Sequence, residues 1–288
     1  MEKLATGFGL IEGPVWDDTR GLMFSDVIHG GYHRLLDNGD TEIVFPHRRG
    51  IGGAALHAED GMVLSGRNIA FKSFDQTRAG VFLTNDVAEE AIGFNDLGTD
   101  PDGRIYVGSL AFRPVGGAEE PKPAYLHMVD LDGSIHTLQD GVLLTNGLAV
   151  SPDGSRLYHS DSRNQAVYAY ARHGDGTVEP RQVFARVETG VPDGVAMAED
   201  GSLWVAIAHG GCVIGYAPDG GEIARLPCPQ GMVTSVCFGG ADLKTLYVVT
   251  GSGGEASDRA GSVYAQPMDV PGLPPAPCRV PVPAENGT

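Results

Sequence analysis

Basic residues are scarce in this chain: 20 Lys and Arg stand against 37 Asp and Glu, a formal net charge of −17. That balance argues against nucleic acid or anionic membranes as partners. Long hydrophobic runs are missing too, since no segment approaches eighteen consecutive apolar residues, so no spanning helix is expected. The opening "MEKLATGFGLIEGPVW" has no apolar stretch of the signal-peptide kind behind its single Lys. Cysteine is limited to Cys212, Cys228, Cys237 and Cys278, without CxxC spacing. Reduced thiols in a cytoplasmic protein are therefore expected. There is no Gly-Lys-Ser/Thr phosphate loop, no Gly-x-Ser-x-Gly elbow and no HExxH pair, which disfavours a Ser-dependent esterase. No stretch has the 3.6-residue apolar period of a long helix.

Glycine and proline, by contrast, are plentiful, at 42 and 19 residues. Such punctuation favours many short strands joined by turns, and an apolar content of 42 % supports a full core. The phrase "VSPDGSRLYHSD" (150–161) recurs in altered form as "VWDDTRGLMFSD", "LHAEDGMVLSG", "TDPDGRIYVGS", "MAEDGSLWVAI" and "FGGADLKTLYVVT". Each copy is an apolar strand, a polar turn and a second apolar strand, at intervals of 40 to 51 residues. About four strands per repeat describe a β-propeller blade. The predicted fold is thus all-β, one six-bladed propeller over 1–288, with blades beginning near 12, 52, 95, 146, 193 and 234. The last repeat is one strand short, and the N-terminal "KLATGFG" is expected to supply it and close the ring. A Pro-rich tail from about 270 reads as irregular, apart from one short strand at "CRV".

Five residues before the first turn of each repeat stand Glu12, Gly52, Asn95, Asn146, Asp193 and Thr234. An isolated Asn-Gly, such as Asn146-Gly147, is ordinarily a turn dipeptide. Here, however, the first strand of every blade lines the central channel, so these six positions converge on one mouth. Two carboxylates gathered there repel, and a divalent cation relieves the repulsion. Glu12 and Asp193 would neutralise its charge, while Asn146 and Asn95 offer uncharged oxygen. An oxygen set of this kind suits Ca²⁺, Mg²⁺ or Mn²⁺, with Zn²⁺ also open.

The segments "IEGPVWDDTRGLMFSDV", "FNDLGTDPDGRIYVGS", "TNGLAVSPDGSRLYHSDS", "PDGVAMAEDGSLWVA" and "TSVCFGGADLKTLYVVT" resemble the SMP-30/gluconolactonase/LRE-like family, over about 9–264. The resemblance implies a lactone hydrolase with one divalent cation, Ca²⁺ foremost. Metal ligands would match Glu12, Asn146 and Asp193, and a substrate- or water-contacting amide Asn95. Asp193 is the candidate base. Sugar-lactone members carry an arginine two residues before that asparagine, where this chain has Gly93. A smaller or less polar lactone is the resulting expectation, with Arg49, Arg67 or Arg113 as replacement donors. Arg113 lies in a Pro/Gly-rich insert over 112–124, and His209 follows the second strand of blade five; both are candidate substrate contacts. Asp26 and Asp161 read as strand-end hydrogen-bonding residues, His57 and His159 as parts of blade turns and strands. The competing readings are an organophosphate or aryl-ester hydrolase on the same centre, and a non-catalytic Ca²⁺-binding or interaction propeller. A small-molecule lactone is the expected partner, and a monomer or small homo-oligomer the expected state.

Overall fold

In the computed structural model, residues 1–284 are described except 47, 89, 115, 118 and 119. Six four-stranded antiparallel sheets follow one another along the chain, and their innermost strands touch in a closed circle. Those strands are Ile11–Asp17, Ala54–His57, Gly93–Thr99, Thr145–Val150, Val191–Met197 and Val233–Gly239. The architecture is a six-bladed propeller. Among the described residues the only helical element is a single 3-10 turn, Asn85–Val87, and no helix is long and apolar enough to cross a membrane.

Closure follows the expected route. The N-terminal strand Glu2–Phe8 pairs antiparallel with Gly261–Pro267 as the outer strand of the sixth sheet. The ends of the ring are thereby tied by backbone hydrogen bonds, and the sixth sheet gains its fourth strand. Apolar side chains fill the spaces between neighbouring blades, as where Ile69 and Phe71 of the second meet Ile105 and Val107 of the third.

The tail is more ordered than its composition predicts. Instead of a strand at "CRV" there is an isolated parallel bridge between Cys278 and His57. From Pro271 onward the chain crosses the lower face, bonding by backbone to Leu243, Met197, Leu56 and Gly103 in turn. Cys278 and Val280 are wholly buried beneath blades two and three. Proline cannot donate a ladder hydrogen bond, so this segment binds through contacts with several blades rather than through one sheet.

Candidate functional site

Five of the six inner strands are irregular where the aligned positions fall, and only that of blade two, Ala54–His57, pairs without a slip. In blade one the ladder slips between Glu12 and Val15, in blade three between Phe94 and Leu97, in blade four between Thr145 and Leu148, in blade five between Pro192 and Val195. Blade six slips between Val233 and Ser235. These are β-bulges, which bend a strand and re-aim a side chain. Glu12, Asn95, Asn146 and Asp193 therefore all turn toward one cavity of about 1190 Å³ at the channel mouth.

The glycines after these residues have a separate cause. A methyl group on Gly53, Gly147 or Gly194 would strike the inner strand of the next blade, at backbone or Cβ atoms. Gly147 has none of the positive φ that a turn glycine would carry. Asn146-Gly147 is accordingly a bulge at a close approach of two backbones, not a turn.

Hydrogen bonds fix the amides. Asn146 Nδ2 donates to Ser162 Oγ at 2.6 Å, and that hydroxyl donates to the Pro192 carbonyl at 2.6 Å. Asn95 Nδ2 donates to Asn146 Oδ1 at 2.6 Å and to the Thr145 carbonyl at 2.7 Å. Asn95 Oδ1 then faces Gly52, where a Cβ would lie 2.5 Å from it. Gly52 precedes its strand rather than starting it, and contributes room instead of a ligand. Thr234 departs from the expected convergence: it is fully buried and its hydroxyl is spent on the Ile11 and Val249 carbonyls.

The carboxylates are poorly served. Asp193 is 6 % exposed, and its Oδ1 has no hydrogen-bond partner. Burial, then repulsion by Asp96, holds Asp193 well above the ordinary carboxylate range. Burial, then Asp193 and Asp96, does the same to Glu12. Asp96 itself is pushed by burial to about 7, against a hydrogen bond from the Leu97 amide. A divalent cation at Glu12 and Asp193 would remove this penalty and give the orphaned oxygen a partner, so the residues fit one. Among the described residues no three His, Cys, Asp or Glu side chains converge as a ligand set. The candidate centre is a mixed one, two carboxylates with the Asn146 carboxamide.

Sequence reasoning passed over Asp96, which lines a second cavity of about 540 Å³ at the opposite end of the channel. Arg49, Arg67, Arg113 and His209 all line the upper cavity, joined by the unpredicted Arg163. His209 sits in a turn with φ of 60°. Arg113 and Pro114 are the parts of the 112–124 insert that reach the cavity; residues 115, 118 and 119 lie outside the described residues. Asp26 accepts from the amides of Gly9, Leu10 and His29, and Asp161 from those of Leu143 and Leu144. Both acids hold the backbone just ahead of an inner strand, the one that bears Glu12 and the one that bears Asn146. His57 and His159 lie in strands, as expected.

Residues 10–252 match the SMP-30/Gluconolactonase/LRE-like region. Pentonolactonase XacC of Haloferax volcanii is 34 % identical over 93 % of this chain and 94 % of its own. The 6-deoxy-6-sulfogluconolactonase of Pseudomonas putida is 31 % identical over 91 % and 92 %. A solved luciferin-regenerating enzyme superposes with a TM-score of 0.85 at 22 % identity, over 96 % of this chain and 98 % of its own, a likeness of fold. A match across most of the ring, with relatives above 30 % identity along nearly their whole length, establishes that this chain belongs to the SMP-30/gluconolactonase/LRE-like family.

Proposed function

We propose that this protein is a lactonase, a hydrolase that opens a cyclic ester in the upper cavity with a divalent cation held by Glu12, Asn146 and Asp193. The observation that carries the reading is the buried, unpartnered Asp193 Oδ1 beside a second strained carboxylate at the floor of a cavity. Two relatives named as lactonases support the bond broken. A bound divalent cation would polarise the ester carbonyl and acidify a water.

The chain's own residues do the rest. Asp193 orients the attacking water and accepts its proton, its carboxylate being held only by a backbone hydrogen bond from Gly194 with Oδ1 left without a partner. Glu12 balances charge. Asn95, its amide nitrogen anchored by Asn146 and Thr145, keeps its oxygen for a substrate hydroxyl or a water. Apolar Leu10, Val27, Phe94 and Met232 narrow the cavity and limit bulk water around the reacting ester.

The lining weighs against the less polar ring that Gly93 alone pointed to. A side chain at Gly93 would run into the Gly66 carbonyl, 2.8 Å from its Cβ, and Arg67 Cα lies 3.5 Å from the same point. The second blade fills that place and brings its own guanidinium, so a polar lactone is the better fit. A pure interaction module is less well supported. Of the large apolar side chains exposed among the described residues, Ile43, Val81, Ile135, Val183 and Ile223 lie one apiece on five outer strands, and Ile28 and Ile92 line the cavity. They form no apolar face for a protein partner. The four thiols are unpaired, in keeping with a cytoplasmic setting.

The test is turnover of a lactone panel after chelation and re-addition of Ca²⁺, Mg²⁺, Mn²⁺ or Zn²⁺. Ring opening that needs one of these ions supports the reading; no opening of any lactone by metal-loaded protein contradicts it.

A further inference from the structure

The turn between the second and third strands presents a basic side chain to the cavity in four successive blades. Arg67 follows Gly61–Leu64, Arg113 follows Ile105–Leu110, Arg163 follows Arg156–Asp161 and His209 follows Leu203–Ala208. Arg49, on the connection between the first two blades, adds a fourth guanidinium. In a chain with nearly twice as many acidic as basic residues, this is a strong local reversal of sign. Among the described residues, the only carboxylates lining the same cavity are Glu12 and Asp193, at its floor.

Two further features separate this rim from a solvated surface. Among the described residues, every basic side chain in it other than His209 is arginine, whose planar fork matches an oxyanion in two hydrogen bonds where lysine offers a point charge. Arg49, Arg67 and Arg163 take part in none of the ion pairs or side-chain hydrogen bonds among the described residues, whereas Arg20, Arg34, Arg78, Arg104, Arg172 and Arg225 are ion-paired and Arg48, Arg156, Arg181 and Arg259 donate to backbone carbonyls. Arg163 is nevertheless positioned, its guanidinium carbon 5.6 Å from the ring centre of the buried Phe112 in the adjoining blade. With a cation held at the floor, Glu12 and Asp193 are offset, and Arg49, Arg67 and Arg163 remain available to an anion.

We propose that the substrate carries an oxyanionic group, a carboxylate or a phosphate monoester, held by Arg67 and Arg163 while the lactone ring lies over the floor. That the reacting group is a lactone rests on the function proposed above; that the rim selects an anion does not. The substrate class is then an acidic sugar lactone rather than a neutral one.

Two measurements separate the claims. The first compares kcat/KM for D-glucaro-1,4-lactone and D-glucono-1,4-lactone, which differ only in a carboxylate at C6. The acidic lactone should be favoured by about tenfold or more, and Arg67→Gln and Arg163→Gln should each cut that ratio by about tenfold, the scale of one charged hydrogen bond. The preference should also shrink in high salt, because the rim is exposed. The second is calorimetric binding of methyl glucuronoside and of methyl glucoside 6-phosphate against methyl glucoside, none of which holds an ester ring to open. Tighter binding of either acidic glycoside, weakened in both variants, upholds the anion site even if no lactone is turned over, and the stronger of the two identifies the anion. Equal binding of all three glycosides, or a glucaro-to-glucono ratio near one that neither variant alters, overturns it.

Discussion

Replacing Gly147 by alanine isolates the claim that Asn146 stands on a bulge rather than in a turn. A Cβ at Gly147 would lie 2.8 Å from the Gly194 carbonyl carbon and 2.9 Å from Val195 Cγ1, and closer still to the Val195 amide nitrogen. Two of these three are backbone, so no rotamer change relieves the clash and the inner strands of blades four and five must part. Overpacking of this kind costs about 1–3 kcal/mol. In a chain of this size that lowers the melting temperature by about 2–5 °C. Gly174→Ala is the control: nothing lies within 4 Å of its Cβ and its φ is not positive, so a change within about 0.5 kcal/mol is expected. Thermal or urea melts of the two variants, read beside wild type, give the answer. If Gly147→Ala melts with Gly174→Ala and wild type, the close approach is not real and the reading of the Asn-Gly pair is wrong.

Three further outcomes follow from the same geometry. Asp193→Asn, refilled with metal and with occupancy measured directly, should turn over at least about a hundredfold slower, because an amide cannot take a proton at neutral pH; near-wild-type turnover would reduce Asp193 to a ligand. Burial holds His127 near 4 and depresses His159 as well, so the unfolded chain binds protons that the fold refuses. Their cost is absent above about pH 6.5 and grows by about 1.4 kcal/mol per pH unit for each as pH falls toward 4; His127→Gln should flatten that slope in urea titrations, and an unchanged slope contradicts it. Deleting the chain from Pro271 onward uncovers the apolar surface beneath blades two and three that Cys278 and Val280 cover, and loss of the fully buried Val280 alone costs about 1.5–3 kcal/mol, so the truncated protein should unfold at clearly lower urea than wild type.

Much of this was legible because the fold repeats. One register of short strands and turns names the architecture, and the same register gathers Glu12, Asn95, Asn146 and Asp193 at one cavity. What escaped was whatever the repeat does not space evenly. Asp96 stands where the other blades carry glycine or serine, and only the bulge reveals that it addresses the lower end of the channel. Arg163 belongs with Arg67 and Arg113, but it stands two residues past its strand where they stand three past theirs, so a fixed offset passes over it. Thr234 keeps the register and loses the role, because its hydroxyl finds backbone carbonyls nearer than the cavity. The tail was opaque for another reason: its order comes from contacts with blades far away in sequence, which composition does not record.

The central claim is that Glu12, Asn146 and Asp193 hold the one cation on which lactone opening depends. Its most direct test is metal stoichiometry, measured on purified wild type, Glu12→Gln and Asp193→Asn at matched free Ca²⁺, with lactone turnover recorded on the same samples. About one ion per chain and ring opening in wild type, with both lost together in either variant, is the predicted result. Full stoichiometry in both variants, or full turnover in metal-free wild type, would contradict it.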